Sequence, residues 1–310
     1  MSKFKILSLD GGGIRGAYSA AALSELQSKI EVPLVDYFDL IVGTSTGGII
    51  AIGLGLGVTP EKLVEFYRNK GKKIFPVTGW LSGLIKQGKQ LIVGTKHDAN
   101  RLLNALNSVL DDKLFGDSKR PLVIVSYNAS RQPDGPHLFK TTREDHRKFK
   151  ASMVALATSA APLYFQAVEL PLGDKGESQT FVDGGIWANC PTLVGITEAV
   201  RFYGKQLQDL YVLSVGTTYK PFKIKEEHKK GSLLNWTLGK DLAALVGSAQ
   251  QAGAWGTTKA MLGEDHCRRI TSTKDENIPL DDATHINDLI AWGKEDALEQ
   301  FSSIKAMFFN

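Results

Sequence analysis

Residues 38–47 read FDLIVGTSTG, and this stretch decides the fold. The apolar run 40–42 predicts a buried strand, and residues 43–47 have the Gly-x-Ser-x-Gly pattern of a sharp turn between a strand and a helix. Small neighbours leave room for a serine in a strained backbone, and the following helix would direct free N–H groups and its positive dipole end at that serine. The pattern therefore predicts that Ser45 is a nucleophile, supported by Gly43 and Gly47.

The uncharged segment extends over residues 40–58, which is long enough to be considered as a membrane span. Its many glycines and its Thr-Ser-Thr turn are typical instead of a strand, a turn and a helix of small residues packed inside a soluble fold. We therefore expect a buried strand-turn-helix unit here.

A second glycine cluster, DGGGIRG at residues 10–16, follows the predicted strand 3–9. Gly11, Gly13 and Gly16 satisfy the Gly-x-Gly-x-x-Gly pattern of a dinucleotide-binding oxidoreductase. That interpretation also needs an acidic residue at the end of the second strand, whereas Asp39 lies at the start of that strand. The oxidoreductase is therefore kept only as an alternative.

The other interpretation of this cluster is an oxyanion hole, because consecutive glycines allow bare backbone N–H groups to converge on one oxygen. In this hypothesis the N–H groups of Gly12, Gly13 and Thr46 would face the developing oxyanion. Arg15 would either fix the loop or attract a phosphate, and a plain surface charge is the alternative for it.

A serine nucleophile needs a base, and none of the six histidines lies in a glycine-punctuated turn after a strand. Most have strongly polar neighbours, as His146 does within REDHR at residues 143–147. A Ser-His-Asp triad esterase that uses His266 or His285 stays open as an alternative.

The better candidate base is Asp183, in FVDGG at residues 181–185, because Gly184 and Gly185 would let the serine approach closely. A carboxylate can accept a serine proton directly if partial burial raises its pKa towards neutrality. An ordinary hairpin turn is the alternative explanation of Asp-Gly-Gly.

Composition limits the remaining possibilities. The chain has 310 residues, 31 of them glycine, and a formal net charge of +4. Strands alternate with helices, which predicts an α/β fold with a mostly parallel sheet covered on both faces. The mild positive charge gives no reason to expect DNA or RNA as a partner. The two cysteines form no disulfide framework or zinc pattern, so we expect no metal and no cofactor.

Residues 10–16, 43–47 and 183–185 together resemble the patatin-like phospholipases. The likeness continues through ATSAAPLYF at 157–165, WANCP at 187–191 and LSVGT at 213–217. It implies a three-layer α/β/α sandwich with a mostly parallel central sheet. It also implies one domain over residues 1–310, with the core motifs in 4–217 and a mainly helical C-terminal part in 232–310.

The resemblance also implies a function: a lipid acyl hydrolase of the phospholipase A type that cleaves ester bonds of membrane phospholipids. It implies a Ser-Asp dyad of Ser45 and Asp183, with Gly11, Gly12 and Gly13 forming the oxyanion loop. Cys190 stands where the family often has Asn, and we expect it to be a small buried packing residue.

Within this family the chain is most similar to bacterial effectors of antiphage signalling that a cyclic oligonucleotide switches on. That likeness implies a cyclic dinucleotide ligand, peripheral contact with membrane phospholipid, and the option of a homo-oligomer. The N-terminus shows no signal peptide, so we expect a cytoplasmic enzyme that acts at the inner face of the membrane. Residues 74–93 and 220–230 are candidates for a lid or for interfacial contact, and ordinary packing or a solvated loop is the alternative.

Overall fold

The computed structural model describes residues 3–75, 97–130, 135–172, 176–221, 223–224, 241–275 and 278–310. The strands are β1 Phe4–Leu9, β2 Leu40–Thr44, β3 Leu122–Asn128, β4 Gly135–Lys140, β5 Val168–Pro171, β6 Ser178–Asp183, β7 Leu210–Tyr219 and β8 Cys267–Thr273. The helices are α1 Gly16–Gln27, α2 Thr46–Gly55, α3 Pro60–Ile74, α4 Ala99–Leu110, α5 Glu144–Arg147, α6 Ala151–Thr158, α7 Gly185–Ala188, α8 Thr192–Phe202, α9 Asp241–Leu262 and α10 Ile286–Phe308.

The strands of the described ranges form one sheet in the order β5-β6-β3-β2-β1-β7-β8, and β4 pairs with β3. The pairings of β1 with β2 and β7, of β2 with β3, and of β7 with β8 are parallel. The pairings that involve β4, β5 and β6 are antiparallel. The predicted mostly parallel sheet is therefore confirmed.

Helices cover both faces of this sheet because successive side chains of a strand point to opposite sides. In β1, Leu7 and Leu9 enter the larger hydrophobic core under α1, α2, α3, α4, α6 and α10, whereas Phe4 and Ile6 enter the smaller core under α8 and α9. The three-layer α/β/α architecture is confirmed by this arrangement.

Residues 40–58 form β2 and α2 within the molecule, as the glycine pattern predicts. All ten residues of α2 are buried. No helix within the described ranges is both long and apolar enough to cross a membrane.

The C-terminal part contributes more than helices. Besides α9 and α10 it supplies β8, which extends the sheet beside β7 and which the sequence did not predict. Most of the candidate lid segments, namely residues 76–93, 222 and 225–230, lie outside the described residues.

Candidate active site

Ser45 lies at the sharp turn between β2 and α2. Its backbone has φ 55° and ψ −124°, in the positive-φ region that residues other than glycine seldom adopt. The Ser45 N–H donates to Oγ1 of Thr158 at 2.9 Å, which fixes the turn from the neighbouring helix α6. α2 begins at Thr46, so the N-terminus of this helix points at the serine.

The predicted small neighbours of Ser45 are required by close backbone approaches. A Cβ on Gly47 would overlap the carbonyl oxygens of Leu9 and Asp10, and a Cβ on Gly43 would overlap the backbone of Gly47. The elbow therefore packs directly against the end of β1. Gly16 plays a similar part, because a Cβ there would overlap the side chain of Thr46.

Asp183 lies next to Ser45 because the strands that carry them, β6 and β2, both pair with β3. Residues 122–125 of β3 pair with β2, and residues 126–128 pair with the oppositely directed β6. Since β4 pairs along residues 123–128 of β3, it must occupy the other edge. β2 and β6 therefore meet end to end at one edge of β3, with their carboxyl ends facing each other.

This juxtaposition places Oγ of Ser45 2.6 Å from Oδ2 of Asp183, across a sequence separation of 138 residues. The hydroxyl donates to the carboxylate. A Cβ on Gly184 would overlap backbone atoms of Val125 in β3, so the strand end that carries Asp183 needs glycine immediately after it.

Burial and hydrogen bonds together set the pKa of Asp183. Burial raises its pKa from the ordinary 3.8 to about 6, although the hydrogen bonds from Ser45 and from the Gly185 N–H oppose that shift. The Gly185 N–H donates to Oδ1 at 2.7 Å, which leaves Oδ2 for the serine. A carboxylate with this pKa accepts a proton much more readily than an exposed one.

The first glycine cluster lies over the dyad, since a Cβ on Gly11 would come within 3.3 Å of the Ser45 Cβ. The Gly11 N–H donates to the carbonyl of Asn189 at 2.9 Å, so it is not free to bind an oxyanion. Gly13 has φ 57° and opens a single 3₁₀ turn whose first N–H groups have no intrahelical partner. Of the three predicted loop glycines, Gly11 holds the loop in place, and the N–H groups of Gly12 and Gly13 have no acceptor among the residues that the structure describes.

Arg15 fixes this loop from behind. Its Nη1 donates to the carbonyl of Thr218 at 3.0 Å, and its Nε donates to the carbonyl of Gly12 at 3.3 Å. Burial lowers the pKa of this guanidinium to about 10. These hydrogen bonds favour the role of Arg15 in fixing the loop over phosphate binding or a plain surface charge.

The sequence did not predict the ion pair at the base of the loop. Arg269 in β8 donates from Nη2 to Oδ2 of Asp10 at 2.5 Å, and both side chains are almost fully buried, at 5% and 0% exposure. Asp10 comes directly before the loop glycines, so Arg269 helps to set the start of the loop. The only signal in the sequence was the pair of arginines at 268 and 269 near the start of an otherwise β-type segment.

The histidines occupy other places. His266 stacks on Tyr211 at a centroid distance of 4.5 Å, at the amino ends of β7 and β8, whereas Ser45 lies at the carboxyl end of β2. His285 pairs with Asp282 and Asp288 at the start of α10. In the part of the chain that the structure describes, no histidine hydrogen-bonds Ser45 or Asp183. The geometry thus gives no support to the triad alternative.

His146 has strongly polar neighbours in the sequence but aromatic neighbours in the structure. The ring is buried, and its centroid lies 5.5 Å from that of Phe139. Burial lowers its pKa to about 4. The charged residues around it point outwards while the imidazole fills an aromatic cluster.

Cys190 is buried, as expected of a packing residue, and burial raises the pKa of its thiol to about 12. The described ranges contain no group of three His, Cys, Asp or Glu side chains placed to hold a metal ion.

The family to which the chain belongs follows from comparison with known proteins. The family model "Patatin-like phospholipase" matches residues 7–196, which include the glycine loop, the elbow and Asp183. The chain belongs to the patatin-like phospholipase family, and it is a serine lipid acyl hydrolase. This membership decides against the oxidoreductase alternative for residues 10–16.

Curated relatives share most of their length with the chain. A cGAMP-activated phospholipase of Vibrio cholerae is 31% identical over 99% of this chain and 94% of its own. A cGAMP-activated phospholipase of Pseudomonas aeruginosa is 33% identical over 85% of this chain and 77% of its own. Patatin-like protein 4 of Arabidopsis thaliana is 30% identical over 68% of this chain and 59% of its own.

Proposed function

We propose that this protein is a phospholipase A in which Ser45 is the nucleophile and Asp183 the general base, and that a cyclic dinucleotide switches it on. The observation that carries the catalytic part is the hydrogen bond of 2.6 Å from Ser45 Oγ to a buried carboxylate beneath a glycine loop.

The geometry supports the following sequence of steps. Asp183 Oδ2 accepts the Ser45 proton as Oγ forms a bond to the ester carbonyl carbon, and the carbonyl oxygen becomes an oxyanion near the N–H groups of Gly12, Gly13 and Thr46. The tetrahedral intermediate collapses, the C–O bond to the lysophospholipid breaks, and Asp183 returns the proton to that oxygen. A water molecule then gives a proton to Asp183 as its oxygen bonds to the acyl carbon of the acyl-enzyme. The bond between that carbon and Ser45 Oγ breaks, Asp183 returns the proton to Oγ, and the fatty acid leaves.

The test is fatty-acid release from phosphatidylethanolamine and phosphatidylglycerol vesicles. We expect Ser45→Ala and Asp183→Asn each to lower the rate by at least about a thousandfold, because loss of either the nucleophile or the base disables the whole dyad. Ser302→Ala is the matched control, since this serine is exposed on α10. Full activity of Ser45→Ala in a clean preparation would overturn the catalytic assignment.

The switch is proposed from the relatives that are named cGAMP-activated phospholipases. The same vesicle assay is run with and without a panel of cyclic dinucleotides, 3′,3′-cGAMP included. We expect little release without nucleotide and strong release with one member of the panel. Because binding to the folded state stabilises it, that nucleotide should also raise the Tm of Ser45→Ala. Equal activity with and without every nucleotide contradicts the switch and leaves the dyad unaffected.

We further propose a cytoplasmic enzyme that makes peripheral contact with the inner face of the membrane. Leu163 supports the contact with a membrane: it is 85% exposed with φ 73°, on the loop that follows Ala160, whose carbonyl accepts the Asp183 N–H at 3.0 Å. An apolar side chain exposed to water, three residues after the backbone contact with Asp183, suits insertion into lipid.

Leu163→Ser should therefore weaken co-sedimentation with anionic vesicles several-fold. The control is Leu298→Ser on α10, which removes a leucine that is 54% exposed. Equal loss in both variants, or no loss in Leu163→Ser, counts against this anchor.

A further inference from the structure

A groove of about 330 Å³ lies between α9 and the corner formed by α7 and α8. Its volume lies within the range of sites for small ligands. The walls are mostly apolar and come from Trp187, Leu193, Val194, Ala249, Gly253 and Ala254. No charged side chain of the described residues lines it, and its polar side chains include Asn189 and Gln250.

Asn189 connects this groove to the dyad. A Cβ on Gly185 would lie 3.1 Å from Asn189 Oδ1 and 3.0 Å from Asp183 Oδ1, so these two oxygens flank the same glycine. On the other side, Asn189 Nδ2 donates to the carbonyl of Gly11 at 3.3 Å. The amide side chain therefore lies between the glycine loop, the catalytic carboxylate and one end of the groove.

Hydrogen bonds fix both walls of the groove. The indole Nε1 of Trp187 donates to the carbonyl of Ser126 at 2.9 Å, which anchors the ring to β3. The side chain of Gln250 donates from Nε2 to the carbonyl of Ile186 at 2.9 Å, which ties α9 to α7. The groove is thus a formed feature of the fold.

Small residues of α9 keep the groove open. A Cβ on Gly253 would meet no atom within 4 Å, so packing within the described chain does not require glycine there. A glycine inside a helix weakens the helix, and here its effect is to leave apolar walls uncovered.

We infer that this groove receives the acyl chain of the ester whose carbonyl Ser45 attacks. The inference rests on the proposed function, because it needs the reacting carbonyl at the dyad. The chain would run from the carbonyl carbon past Asn189 and lie between Trp187 and α9. The uncharged lining suits an alkyl chain and excludes the phosphate of the head group, which would lose its hydration without gaining a partner.

The experiment measures kcat/KM for p-nitrophenyl butyrate and p-nitrophenyl myristate. Gly253→Leu places a side chain inside the groove, whereas the control Ala260→Leu adds a leucine at an exposed position further along α9. We expect the myristate-to-butyrate ratio of Gly253→Leu to fall roughly tenfold or more below that of Ala260→Leu, since displaced methylenes cost binding in an apolar pocket. An unchanged ratio would overturn the inference.

A binding measurement covers the case in which Gly253→Leu hydrolyses neither ester. Calorimetry with laurate on Ser45→Ala, with Gly253→Leu or Ala260→Leu added, needs no turnover. Laurate binding that is about tenfold weaker only with Gly253→Leu supports the groove, and equal binding overturns it. Failure of the dyad would show separately, as activity retained in Ser45→Ala.

Discussion

The buried carboxylate of Asp183 sets the chemistry of the site at the scale of single residues. Only 4% of the surface of Asp183 is exposed, and only 8% of that of Ser45. Removal from water disfavours the charged carboxylate, which makes it a better proton acceptor, and the Ser45 hydroxyl supplies one of its few remaining hydrogen bonds.

The pH profile of activity tests the raised pKa of Asp183. The base must be ionised to accept the serine proton, and its pKa lies at about 6. We expect kcat/KM for a soluble ester to fall tenfold per pH unit below about pH 6 and to be flat above it. Gly185→Pro, which removes the N–H that donates to Oδ1, should move the midpoint upwards. A midpoint near the ordinary 3.8 would contradict the assignment.

The stability of the fold should also depend on the ionisation of Asp183, but it should fall with rising pH where the activity rises. The folded-state pKa is raised, so between about pH 4 and pH 6 the folded protein holds a proton that the unfolded chain has released. The contribution of Asp183 to the free energy of unfolding is therefore largest below that window and is lost as the pH rises through it. Chemical denaturation of Asp183→Asn at pH 8 would then show equal or greater stability than the wild type, as expected for a strained functional site.

Strand ends and the turns after them build the site at the scale of elements. β2 and β6 share one edge of β3, and this arrangement requires both strands to end at the same point of that edge. Thr158 at the end of α6 connects the two ends, because its Oγ1 accepts from Ser45 N while its carbonyl accepts from Gly184 N at 3.4 Å. The distance between Ser45 and Asp183 thus depends on how β2, β6 and α6 pack together.

Gly47→Ala tests how tightly the elbow packs on β1. A Cβ there would overlap two backbone carbonyls, which cannot rotate away, so we expect a loss of about 3 kcal/mol in the free energy of unfolding. Gly135→Ala is the matched control, because a Cβ at that strand position meets nothing within 4 Å, and it should change stability by less than about 1 kcal/mol. Urea denaturation measures both, and equal effects would refute the close approach.

Contacts between distant parts of the chain hold the glycine loop at the scale of the whole molecule. Asp10 and Arg269 are 259 residues apart in sequence, yet they form a buried ion pair under the loop. The carbonyl of Leu280 also accepts from the Ile14 N–H at 2.8 Å. The C-terminal part therefore stabilises the oxyanion loop although it contains none of the catalytic motifs.

Arg269→Met should destabilise the protein by about 3–5 kcal/mol, because it leaves the Asp10 carboxylate buried without its partner. The control is Lys150→Met, which breaks an exposed pair with Asp112 and should cost at most about 1 kcal/mol. The same urea series measures both variants. Similar values for the two would mean that the buried pair contributes no more than a surface one.

The local sequence determined much of this protein. The glycine spacings at residues 10–16 and 43–47 predicted turns after β1 and β2, because those conformations require small residues at fixed offsets. The Asp-Gly-Gly at 183–185 identified the candidate base for a similar reason. The conformation of each turn depends on residues adjacent in the chain, so it can be predicted from the local sequence.

Only the tertiary structure decided how those turns are used. It assigned the Gly11 N–H to the Asn189 carbonyl, buried His146 among aromatic rings despite its charged neighbours, and paired Asp10 with Arg269. Each of these outcomes depends on which surfaces meet when the sheet and helices pack. Sequence periodicity describes one element at a time, whereas hydrogen-bond partners and burial are set by contacts between elements far apart in the chain.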